Sequence, residues 1–258
     1  DSFTEDDQGV QIIMNKTKID WCDYTWNPIT GCSRVSEGCD NCYAHAIAET
    51  RLKHLPEYKN GFSRIIFHKD RLGQLSVLKK QSGKIIFVCS MSDFFHPYMG
   101  KWQLDVMYAI KEYADNYFVF LTKRPVNMVR DYVMQGRLSD GRFNHCFFGI
   151  SAENQERFDR RMGELKSSNY QNNIVSLEPL LGPIDISNFT KDLKWVIVGA
   201  ESGIKARPMS PDWVRSIRDQ CLEADIPFFF KGYGKKSLGK EIDGKMWNQY
   251  PKMMNKKE

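Results

Sequence analysis

Lys84-Ile85-Ile86-Phe87-Val88-Cys89, closed by Ser90-Met91-Ser92-Asp93, sets the pattern from which the fold is read. An unbroken apolar run of this length is how a strand buried on both faces reads, and here it stops abruptly at polar residues. The same arrangement recurs downstream in Tyr117-Phe118-Val119-Phe120-Leu121, His145-Cys146-Phe147-Phe148-Gly149-Ile150 and Asn173-Ile174-Val175-Ser176-Leu177. It returns in Trp195-Val196-Ile197-Val198-Gly199 and Pro227-Phe228-Phe229-Phe230, and Tyr24-Thr25-Trp26-Asn27-Pro28-Ile29 is a weaker first strand. Helical patterns separate the runs. Asp40 to His54 carries alanines and long side chains at helical spacing, and Trp102, Val106, Ala109, Ile110 and Tyr113 recur every three or four residues. Ser210-Pro211 is an N-cap followed by proline at the first helical position, ahead of a stripe of Val214, Ile217, Cys221 and Leu222. Six or seven β-α repeats predict an α/β fold with a parallel sheet covered by helices, and their even spacing favours a (β/α) barrel, complete or partial, over an open doubly wound sheet.

The chain has 258 residues, 41% of them hydrophobic and 27% charged, which fits one barrel-sized domain and excludes a disordered chain, a coiled coil or a collagen-like fibre. We place that domain at 15–250, after a leader of residues 1–14 ending at Met14, a candidate original start, and before a basic tail at 251–258. No apolar run approaches the roughly 20 residues that span a bilayer, and no secretory signal pattern opens the chain. The expectation is a soluble cytoplasmic protein without a membrane partner. A net charge of +5, from 37 Lys and Arg against 32 Asp and Glu, permits a phosphate-bearing small molecule or a nucleic acid as partner.

Of seven cysteines, Cys32, Cys39 and Cys42 crowd into eleven residues with Cys-x6-Cys-x2-Cys spacing, between the first strand and the first helix. In a chain without a secretory signal this reads as metal binding before disulfides. Three thiolates can hold three irons of a [4Fe–4S] cluster and leave the fourth iron open to a small molecule. Alternatively, His45 or Cys22 joins them in a closed zinc site. Cys89, Cys146 and Cys221 lie in apolar segments and read as buried small side chains.

Each strand run ends in polar or charged residues, and in a parallel barrel those ends converge on one face. Asp93, Lys123, Glu153, Glu178, Glu201 and Lys231 are therefore expected to line one cavity, with Glu178, Lys123 and Glu201 as the candidate catalytic groups. Simpler roles stand beside this: Asp93 and Glu153 as caps, and Lys123 and Arg124 as ion-pair partners of Glu178. Trp21, Trp26, Phe94, Phe95 and Tyr98 read as core and rim rather than base-stacking platforms.

The segments Trp26–Ala44, Ser90–Asp93, Leu121–Pro125, Gly149–Asn154, Ser176–Pro179 and Gly199–Gly203 resemble a phage- and prophage-associated family of uncharacterised three-cysteine-motif proteins, across nearly everything from Ile19 to Gly234. That family is similar to a divergent branch of the radical S-adenosylmethionine (SAM) superfamily. The superfamily's usual loop is Cys-x3-Cys-x2-Cys with an aromatic before the last cysteine; here the first gap is six, and Asn41 holds that position. The resemblance implies a partial (β/α)6 barrel, a [4Fe–4S] cluster on Cys32, Cys39 and Cys42, and SAM as second cofactor. It further implies that SAM is cleaved to methionine and a 5′-deoxyadenosyl radical, with an electron donor protein as partner. It places the SAM amine near Ser90, Ser92 and Asp93, the ribose and carboxylate near Ser151, Glu153 and Asn154, and the adenine near Gly199 and Ala200. The rival readings are a zinc-stabilised nucleic-acid- or protein-binding module, and a metal-dependent hydrolase or lyase using Asp93, Glu178 and Glu201.

Overall fold

A computed structural model describes residues 4–5, 11–12, 14–130, 141–168, 172–234 and 239–254. Seven parallel strands follow one another in space as they do in sequence: β1 (Tyr24–Trp26), β2 (Ile85–Val88), β3 (Tyr117–Thr122), β4 (Cys146–Ser151), β5 (Asn173–Leu177), β6 (Leu193–Val198) and β7 (Phe228–Phe230). No step in that order reverses direction, unlike the doubly wound sheets weighed against a barrel. The sheet curls into a half-barrel, and the two-residue strand Asn15–Lys16 adds antiparallel to β1. Among the described residues five α-helices accompany it: α1 (Tyr43–Glu49), α2 (Trp102–Lys111), α3 (Pro125–Arg130), α4 (Gln155–Lys166) and α5 (Pro211–Glu223). Among the described residues no helix is long and apolar enough to cross a membrane.

Continuous apolar runs are needed because each strand buries both faces. Successive side chains alternate between faces. Ile86, Val88, Phe118, Phe120, Phe148 and Val175 join the helices' Val106, Ile110, Phe158, Met162 and Val214 in the outer core. Ile85, Val119, Phe147, Ile174, Trp195, Ile197 and Phe229 fill the inside of the curl with Trp21 and Met254. Trp21 packs edge-on against Trp195 at 5.8 Å, and Tyr250 lies against Trp195 and Phe229, each at 5.4 Å. The segment before β1 and residues 250–254 thus plug the base of the half-barrel.

Gly149 sits on the inner face beside Ile174, where a Cβ would run into that residue's carbonyl and side chain. Gly149→Ala must spread β4 from β5, and should cost about 1–3 kcal/mol. A urea unfolding midpoint equal to wild type would contradict this packing.

Two sequence expectations differ in extent. The helix expected over 40–54 runs only from Tyr43 to Glu49, because the Thr50 hydroxyl bonds back to the Ala46 carbonyl and turns follow towards Pro56. Of the expected basic tail, Lys252–Met254 forms a 3-10 turn with Met254 buried in the inner core; residues 255–258 lie outside the described residues. Most of the expected leader also lies outside them, though Thr4–Glu5 pairs with Gln11–Ile12 and Met14 is buried.

Candidate functional site

The inner face continues upward into chemistry. Along β3 the inward series Val119, Leu121 runs on to Lys123; along β5 Ile174, Ser176 runs on to Glu178; along β7 Phe229 runs on to Lys231. These upper residues line a cavity of about 520 Å³, floored by Trp21, Phe87 and Leu121 and walled on one side by Cys42, Tyr43 and Ile47. Glu178 and Lys231 come from β5 and β7 and meet across β6, with Glu178 Oε1 2.5 Å from Lys231 Nζ. They can do so because β6 presents Gly199 between them, where a Cβ would strike the Glu178 carboxylate. The Ser176 hydroxyl donates to the other carboxylate oxygen at 2.9 Å. Lys123 forms no ion pair among the described residues, leaving its charge available to an anionic group in the cavity.

The cysteine loop forms the lip. Cys32, Cys39 and Cys42 are half-buried, whereas Cys22, Cys89, Cys146 and Cys221 are buried, and all seven are free thiols. Burial pushes the Cys32 thiol up to about 11, with Asp93 adding to the rise and Arg124 opposing it. Side chains at and beyond the start of α4 and after β6 clamp the loop between Cys32 and Cys39. Arg157 and Asn154 at the start of α4 bond the Glu37 carboxylate, at 3.2 Å and 2.6 Å, and Arg207 donates to the Glu37 carbonyl at 2.9 Å. Arg161 of α4 reaches the Ser36 hydroxyl at 3.0 Å while its other nitrogen holds the fully buried Glu153 carboxylate at 2.8 Å.

Four of the six expected mouth residues, Lys123, Glu178, Glu201 and Lys231, share the cavity with Ser151 and Ala200. Asp93 and Glu153 lie behind its wall. Asp93 accepts from the Thr122 hydroxyl at 2.6 Å and Arg124 Nη1 at 3.0 Å, and Glu153 is engaged by Arg161. The expected pairing of Lys123 or Arg124 with Glu178 is thereby replaced: Arg124 serves Asp93, and Lys231 serves Glu178. Ser90 and Ser92 tie the β2 turn to the β1 side, through Asn27 at 3.1 Å and the Gly31 carbonyl at 2.6 Å. Asn154, rather than Glu153, caps α4, accepting from the Arg157 amide at 3.0 Å. Gly199 makes room for Glu178. Trp21, Trp26, Phe94 and Phe95 are buried and Tyr98 is exposed, as core and rim residues should be.

Sequence reasoning missed Glu37, Arg157, Arg161 and Asn41. Asn41 donates to Glu201 Oε2 at 2.9 Å, joining the cysteine loop to the loop after β6. Glu201 is also held by the Arg207 side chain and amide. Burial opposes the Glu201 charge, but the bonds from Arg207 and Asn41 outweigh it and hold the carboxyl at about 2 against an ordinary 4.5. A carboxyl lowered on folding stabilises fully above its ordinary value, and that contribution drains away as pH falls from about 4.5 towards 2. Glu201→Gln should therefore lose less stability than wild type across that acid range when urea midpoints are compared at each pH; parallel curves would count against the assignment.

Whether these residues suit an iron–sulfur cluster turns on the donor set. Three unpaired, half-buried thiols on one loop beside a guanidinium are a fitting set for a cluster's thiolates. Among the described residues no three His, Cys, Asp or Glu side chains are arranged to hold a single metal ion. The His45 ring packs edge-on against Phe62 at 5.8 Å, and the buried Cys22 thiol faces the Ile19 carbonyl at 3.9 Å.

No curated protein and no solved structure matches the chain. The family described as "Protein of unknown function (DUF5131)" matches residues 16–251, and with nearly the whole half-barrel inside that span the chain belongs to this family.

Proposed function

We propose that this protein is a radical SAM-type iron–sulfur enzyme of the partial (β/α)6 class, acting in the cytoplasm on a nucleotide or nucleic acid, with the phage association and electron donor protein that its sequence resemblance implies. The observation that carries the reading is the half-buried Cys32, Cys39 and Cys42 loop, whose last cysteine stands in the wall of the cavity at the carboxyl ends of the strands. Cys32, Cys39 and Cys42 would hold a [4Fe–4S] cluster, which together with SAM would supply radical hydrogen-abstraction chemistry at this mouth. The chain's own residues hold the loop, offer Lys123 to an anionic group, and set the Glu178–Lys231 pair over the apolar floor of Phe87 and Leu121. Tyr43 and Phe87 give the cavity aromatic surface suited to a nucleobase, and the net positive charge suits a phosphate.

The rival readings have less support. A closed zinc site needs four ligands around one ion, and the His45 ring lies edge-on against Phe62. A hard cation needs free carboxylates, yet Asp93, Glu178 and Glu201 are each matched by Arg124, Lys231 and Arg207.

The test is anaerobic purification with metal analysis, followed by reduction in the presence of SAM. The expected result is about four irons with matching sulfide and release of 5′-deoxyadenosine, undiminished in His45→Ala. One zinc per chain, or full iron loading without 5′-deoxyadenosine, overturns the proposal.

A further inference from the structure

Arg124 follows β3 by two residues, yet its guanidinium is buried beneath the cysteine loop, at 8% exposure. Four of its hydrogen bonds fix it there. Nη1 donates to Asp93 Oδ2 at 3.0 Å and points to Cys32 Sγ at 3.7 Å, and Nη2 donates to the Ser33 carbonyl at 2.7 Å and hydroxyl at 2.9 Å. Asp93 is itself held by the Thr122 hydroxyl and by the amides of Phe95 at 3.0 Å and Lys123 at 3.2 Å. A buried cation matched by one carboxylate is already balanced. Here the same guanidinium also faces a sulfur, so one positive charge serves both a carboxylate and a cysteine.

The geometry points to Arg124 as a positioning and tuning residue that hydrogen-bonds the Cys32 sulfur and sets the reduction potential of the cluster bound there, with Asp93 fixing its place. This rests on the iron–sulfur reading above. Hydrogen bonds and charge near cluster sulfurs tune its potential. The reduced cluster carries one more negative charge than the oxidised one, so a guanidinium close to a ligating sulfur stabilises the reduced form and raises the potential. Low dielectric around a buried group strengthens the effect.

The test is an anaerobic redox titration of reconstituted protein followed by electron paramagnetic resonance. Arg124→Gln, which leaves Asp93 charged, is expected to give the most negative midpoint. The charge-balanced double variant Arg124→Gln/Asp93→Asn should recover part of the fall, and Arg124→Lys should lie closest to wild type. A merely structural clamp would change how much cluster is bound without moving the midpoint. Variants that load the cluster at the wild-type midpoint overturn the assignment, and so does loss of cluster from all three, which would make Arg124 a clamp alone. If wild type takes up no cluster, the parent reading fails first; if it loads and ignores Arg124, only this assignment fails.

Discussion

Alanine at any one of Cys32, Cys39 and Cys42 is expected to strip anaerobically reconstituted protein of its brown iron–sulfur absorption and to abolish SAM cleavage. Loss of an outer-shell partner already costs roughly ten- to a hundredfold in metal sites, and loss of a ligand should exceed that. The control lies in the same chain. Cys146 and Cys221 are buried among apolar side chains of the outer core, so alanine there should cost stability and leave the absorption in place. Burial raises both of their thiols well above the ordinary range, which keeps them protonated and inert. A triple variant of Cys32, Cys39 and Cys42 that still binds iron would dismiss the site altogether.

The second large effect is structural. Glu153 is fully buried and meets Arg161, also almost wholly buried, through two hydrogen bonds. Glu153→Ala leaves a guanidinium without its counter-charge inside the protein, which costs about 3–5 kcal/mol. For a domain of this size that corresponds to a fall in melting temperature on the order of 10 °C. Arg161 also supports Ser36, so the damage should spread to the cysteine loop as reduced cluster uptake at temperatures where the fold survives. Calorimetry showing a melting temperature within a degree or two of wild type would refute the pairing.

The strands were legible because burial on both faces leaves an unbroken apolar signature, and six of the seven runs became strands close to their expected limits, while the weaker first run, Tyr24–Ile29, keeps only Tyr24–Trp26 in the sheet and sends Ile29–Thr30 to pair with Ile66–Phe67. The pairing of charges was not, because a sequence records which charges exist and not which neighbour the fold hands them. Part of it could have been read from alternation. Lys123 continues the inward series of β3, whereas Arg124 continues the outward series of Phe118, Phe120 and Thr122, so the two could not both face the cavity. Alternation fails for Asp93, because Cys89 ends β2 in a left-handed turn at φ 60° and resets the chain's direction. Glu153 pairs with Arg161, eight residues on and within the helix that follows it, and nothing in the apolar run before Glu153 announces that partner. Met254 was hidden among lysines; its burial depends on the base of the half-barrel being open for it.

That plug at the base bears on how the chain is born. Trp21 and Met254 belong to one core cluster although they stand 233 positions apart. Synthesis delivers them at opposite times, and domains made on the ribosome begin folding from the first part to emerge. The outer core can assemble pair by pair as each strand and helix appears, since its contacts join sequence neighbours. The inner core cannot close until residues 250–254 have been added. Until then Trp195 and Phe229 lack their Tyr250 covering, leaving a sticky interior that a chaperone would recognise.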